Sequence, residues 1–122
     1  MDLQKAIERH TQWKIILRSA VLEKTTVDAD SIRRDDCCVL GKWLHGDGKS
    51  VHGSKPSFPQ LVAVHAEFHQ QAGQVADAIN AKQYDEAEKL LGVWSDYMSA
   101  SVGVVDAIEA LRKEMPISET VE

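Results

Sequence analysis

The stretch SFPQLVAVHAEFHQQAGQVADAINA, residues 57–81, decides the class of fold. Phe58, Leu61, His65, Phe68, Ala72, Val75 and Ile79 recur at helical steps, so they share one stripe of an α-helix rather than one face of a strand. Ser57 suits the cap. Pro59 is tolerated in the first turn, where its missing N–H has no intrahelical partner. One position of this apolar stripe is an imidazole, His65, and His69 follows it by four residues. At that spacing both rings project from one face, one turn apart.

Upstream, three glycines and a proline between Gly46 and Pro56 predict a loop. His45 and His52 flank or occupy it, off any core stripe, and are expected in solvent. Before the loop, a short helix is expected from Asp35 to Leu44, with Asp35 and Asp36 in its first turn and Gly46 at its end. The polar segment Lys24–Ser31 reads as a connection. From Asp2, a capping residue, to Glu23 runs another long helix. Leu3, Ile7, His10, Leu17 and Val21 form its first stripe, and Trp13, Ile16 and Ala20 form a second beside it, which predicts deep burial.

Downstream, Lys82-Gln83-Tyr84 is a turn. A third long helix is expected from Asp85, carrying Ala87, Leu91, Trp94, Met98, Val102, Val105 and Ile108, and ending before Pro116. Residues 117–122 read as a flexible tail. The expected fold is all-α: an antiparallel helical bundle of three long helices plus a short helix that carries a cysteine, in one domain over residues 1–116.

Composition narrows the function. The chain has 122 residues, 43% hydrophobic and 27% charged, with a formal charge of −5. That charge argues against nucleic acid or an anionic membrane as partner, since both require a basic face. No apolar run approaches the ~18 residues of a membrane span, and the first residues lack the apolar core of a signal peptide. A cytoplasmic location is expected. The two cysteines, Cys37 and Cys38, are adjacent, which excludes a disulfide framework and fits a reducing compartment.

The polar residues on core stripes carry the chemistry. His10 lies between Ile7 and Leu17, His65 between Leu61 and Phe68, and His69 shares the face of His65. Cys38 opens the short helix, where the helix dipole and free N–H groups favour a thiolate. A lone histidine on an apolar stripe is ordinarily a hydrogen-bonded core residue. Three nitrogens and one sulfur together form the soft, four-donor set that suits Zn2+. No arrangement here suits catalysis. His65-Ala66-Glu67-Phe68-His69 lacks the glutamate position of a metalloprotease helix, and four protein ligands leave no open position for a substrate water.

The motifs His10-x-x-Trp13, Cys38-x-Leu40-Gly41-x-Trp43 and His65-x-x-x-His69 occur in that order. Together they resemble the chemoreceptor zinc-binding (CZB) family. The resemblance implies that His10, Cys38, His65 and His69 are zinc ligands and that Trp13, Leu40, Gly41 and Trp43 are packing positions. Trp13 can wall the metal from water, and Gly41 can let the short helix approach a long one. Cys37 is outside the motif and is read as a bystander.

The resemblance also implies a sensory or regulatory role, commonly as a homodimer attached to a chemoreceptor or diguanylate cyclase. Such domains report zinc, or oxidants acting on the ligating cysteine. No receptor hairpin or cyclase sequence occurs within the 122 residues, so the expected output is reached in trans or lies in a longer protein. Two other readings fit the helical pattern. A hemerythrin-like di-iron bundle shares the His-x-x-x-His pair but needs inward carboxylates, and Glu67 lies off that face. A structural interaction bundle would carry the histidines incidentally.

Overall fold

In the computed structural model, which describes residues 1–115, the Asp2 carboxylate accepts from the Lys5 N–H and opens α1, Leu3–Glu23. Leu3, Ala6, His10, Leu17, Ala20 and Val21 are its buried residues. Trp13 is only half-buried and Ile16 half-exposed, so the second stripe is less covered than its composition suggests. Lys24 ends the helix in the left-handed conformation, at φ 56°.

The stretch that decides the fold forms α5, Phe58–Asn80, and all seven stripe positions are buried. The last helix, α7, Asp96–Lys113, packs along it. Ser57, at the start of α5, donates from its N–H and its hydroxyl to the carboxylate of Glu114, just past the end of α7. Arg112 of α7 donates to Gln4 at the start of α1, at 3.0 Å. Helices α1 and α5 therefore both run antiparallel to α7. The fold is the all-helical bundle that the periodicity implies, with no strand among the described residues.

Four local expectations are corrected. The connection Lys24–Ser31 runs into a helix of its own, α2, Ala29–Arg33, capped by the Asp28 carboxylate on the Ser31 N–H. It docks on α5, where Arg33 donates to the Gly73 carbonyl and pairs with Asp77.

The short cysteine helix, α3, spans Val39–His45, starting later than expected because Asp35–Cys38 form the turn before it. The glycine-rich loop contains α4, Asp47–His52. Gly48 permits it, since a Cβ there would stand 2.6 Å from the Trp43 ring. His52 is consequently buried beside Trp43, ring centroids 5.7 Å apart, rather than solvated.

The third long helix is broken. Helix α6, Tyr84–Leu90, stops, and α7 begins only at Asp96. Ser95 explains the break: its hydroxyl donates to the Gly92 carbonyl and accepts from the Met98 N–H, making it the cap of a new helix. The interruption rotates the apolar phase. Tyr97, Ala100, Val104, Ala107, Ile108 and Leu111 face the core, while Trp94 is 97% exposed and Val102 is exposed. Pro116 and the tail at 117–122 lie outside the described residues.

Candidate metal centre

Three elements bring four donors to one point. His10 comes from α1, Cys38 from the N-cap of α3, and His65 and His69 from adjacent turns of α5. The Cys38 Sγ lies 3.3 Å from His65 Nε2 and 3.5 Å from His69 Nε2, and the two Nε2 atoms are 3.1 Å apart. With His10 included, the four donor atoms all lie within 4.8 Å of one another. A tetrahedral ion with nitrogens at ~2.0–2.1 Å and sulfur at ~2.3 Å separates nitrogens by about 3.3 Å and nitrogen from sulfur by about 3.6 Å. The three short separations match the edges of that tetrahedron.

Backbone carbonyls fix two of the rings. The His10 Nδ1–H donates to the Ala6 carbonyl at 2.9 Å, and the His69 Nδ1–H donates to the Ile32 carbonyl at 2.7 Å. A carbonyl only accepts, so each ring carries its proton on Nδ1 and turns the Nε2 lone pair towards the cluster. The His10 Nε2 is buried with no hydrogen-bond partner among the described residues. A buried lone pair without a donor costs free energy unless something fills the position, and a cation does.

Burial, above all, lowers the affinity of all three imidazoles for protons. It acts on His10 against its Ala6 bond and on His69 against the Ile32 carbonyl and Asp35. His65 is brought down to about 3, by burial first and then by His69, His10 and His45. At neutral pH the rings are therefore in the neutral form that binds metal.

For Cys38 the expectation of a favoured thiolate is corrected. Burial pushes its thiol up, and the N–H groups of Gly41 and Leu40 only oppose that shift. The Gly41 N–H donates to Sγ at 3.2 Å. A coordinating metal deprotonates such a thiol outright.

The packing positions fall in different places. Leu40 is buried behind Cys38 in sequence, and Trp13 packs half-buried against the core. Gly41 makes a close approach, but to the preceding turn rather than to a long helix: a Cβ would stand 1.8 Å from the Asp35 carbonyl oxygen. Trp43 packs against His52 and Phe58 and makes no ring contact with the four donors. Cys37 is exposed and outside the cluster, and His45 is exposed, 3.2 Å from the Asp35 carboxylate.

Sequence reasoning missed Ala6, Ile32 and Gly73. The first two act through carbonyls, which leave no trace in residue type. Gly73 did leave a signal, as a lone glycine inside a helix. A Cβ there would stand 2.6 Å from the Arg33 Cβ, so it admits α2 and brings up the Ile32 carbonyl.

The donors, their spacing and the unpartnered His10 Nε2 fit a four-coordinate zinc ion, which defines the class: a metal-binding helical bundle. A scan against family models matches the chemoreceptor zinc-binding domain over residues 10–76, more than half of the chain. The chain belongs to that family, and it is a zinc-binding domain. Searches of curated proteins and of solved structures returned no match.

Proposed function

We propose that this chain is a sensory zinc domain in which His10, Cys38, His65 and His69 hold one Zn2+ and the cysteine bond is the part that responds. The spacing of 3.1–3.5 Å among Cys38 Sγ and the two Nε2 atoms of α5 carries this reading. A bound ion ties α1, α3 and α5 together, adding to the hold that the buried Leu40 and Leu44 give α3 on the core. That helix spans seven residues and makes its main packing with α4. Loss of the sulfur bond frees α3 while the two histidines of α5 keep the metal. Movement of α3 is the output, because one bond biases an element with two arrangements.

Zinc supplies no chemistry beyond Lewis-acid ligation here, since four protein donors close its shell. The redox form of the signal needs a two-electron oxidant such as hydrogen peroxide. The Cys38 sulfur takes one peroxide oxygen to become a sulfenic acid, the O–O bond breaks, and the other oxygen leaves as water.

The output module in this reading is a chemoreceptor or a diguanylate cyclase, in cis or in trans, and the working form is a homodimer. Exposed Ile15 and Leu22 on α1 and Val93 and Trp94 before α7 support self-association. No helix among the described residues is long and apolar enough to cross a membrane. The di-iron alternative finds less support. Among the described residues no carboxylate joins the four donors, and Glu67 is exposed, accepting from Gln71 at 2.8 Å.

The test is peroxide treatment of the zinc-loaded protein beside Cys38→Ser, read by hydrogen exchange over α3. Exchange should rise in the parent and not in the variant. Equal responses in both contradict a cysteine switch.

A further inference from the structure

A cleft of about 420 Å³ opens between α1 and the start of α3. Of the four donor residues it is lined by His10 and Cys38 alone, so it opens onto the donor cluster from the side of α1 and α3. Exposed Lys5 and Arg9 line it one helical turn apart, which sets two cations side by side. Neither charged head has a hydrogen-bond or ion-pair partner among the described residues, although the chain carries a net charge of −5. The Asp2 carboxylate in the same lining is engaged as the cap of α1. The rest of the lining is mainly apolar. Ile16 is 50% and Val39 52% exposed, and Trp13 presents a half-buried indole.

We infer that this cleft binds a small organic monocarboxylate with an apolar body, and that the bound molecule covers the approach to Cys38. The carboxylate meets Lys5 and Arg9, where a bidentate guanidinium and an ammonium suit it. The body lies against Trp13, Ile16 and Val39 and removes their apolar surface from water. The volume falls within the ~300–1,000 Å³ range of small-molecule sites. A phosphate-rich ligand would waste the apolar wall, and a neutral hydrocarbon would leave the two cations unused. The ligand bridges α1 and α3, the elements that also share the metal. Binding in the cleft and retention of the metal are therefore coupled, and by linkage the coupling is reciprocal.

Carboxylate binding does not depend on the sensor reading, whereas its effect on the metal does, and the experiment separates the two. The zinc-loaded chain is titrated calorimetrically with 2-naphthoate and with neutral 2-naphthamide, then repeated with Lys5→Glu/Arg9→Glu. Both substituted side chains are exposed, and thermal melts check that the fold survives. The expected result is saturable 1:1 binding of naphthoate, weakened roughly tenfold or more by the charge reversal and by the amide. Saturating naphthoate should also slow zinc loss to excess EDTA several-fold in the parent and not in the double variant. No saturable binding overturns the proposal, including the case where a second copy of the chain fills the cleft. Binding indifferent to charge, or binding that leaves zinc loss unchanged, overturns it as well. A chain that arrives without zinc contradicts the sensor reading instead, and the titration still decides whether the cleft takes a carboxylate.

Discussion

Gly41 and Gly73 show how closely backbone must approach backbone around the cluster. An alanine at 41 would drive its Cβ into the Asp35 carbonyl, a backbone atom that moves only with the whole Asp35–Cys38 turn. Gly41→Ala should cost about 1–3 kcal/mol in urea unfolding and weaken zinc binding, because Cys38 sits on that turn. Gly73→Ala gives a sharper contrast. Glycine to alanine in a helix interior ordinarily gains about 1 kcal/mol. Here the new methyl meets the Arg33 Cβ at 2.6 Å, and relief requires α2 to move away with the Ile32 carbonyl that orients His69. The expected outcome is net destabilisation together with weaker metal binding. A gain in stability with unchanged affinity would contradict this packing. The four donor types were legible in the chain, as motif positions on apolar stripes. Their orienting partners were not, because a carbonyl has the same identity at every residue.

At the level of elements, the meeting of α5 and α7 depends on Glu114. Its carboxylate accepts from both the N–H and the hydroxyl of Ser57, and those bonds, led by the hydroxyl, hold it below the ordinary carboxylate range. A lowered folded-state pKa means that the unfolded chain binds the proton more readily. The stabilisation is therefore present above the ordinary value near 4.5 and is lost as pH falls through the lowered one. Urea midpoints should separate parent from Glu114→Gln at pH 7 and converge near pH 2; a constant difference would contradict the assignment.

Helix α5 was legible from period alone, since it is central and covered along one complete stripe. Helix α7 was not. Trp94, Met98, Val102 and Val105 continue the period of Ala87 and Leu91, but Ser95 restarts the helix and shifts the buried face. Substitution separates the two patterns. Leu91→Ala, fully buried, should cost about 2–5 kcal/mol. Val102→Ala, 52% exposed, should stay within about 0.5 kcal/mol.

For the molecule as a whole, the long helices pack through an apolar core along many turns, whereas α3 is seven residues long, enters that core through Leu40 and Leu44, and has Cys38 of the donor cluster as its N-cap. Zinc removal should therefore raise hydrogen exchange across Asp35–His45 while α5 and α7 keep their protection, a local opening rather than global unfolding. The bundle was legible because long amphipathic helices state their period many times over. Helix α4 was hidden because Gly48 reads as a loop residue until the Trp43 ring above it is known. The central claim is that three imidazoles and one thiolate converge on a single zinc. X-ray absorption at the zinc edge measures that shell directly. The account predicts one sulfur at about 2.3 Å and three nitrogens at about 2.0–2.1 Å, with the sulfur lost in Cys38→Ser. A shell of oxygens, or one whose sulfur survives that substitution, would contradict it.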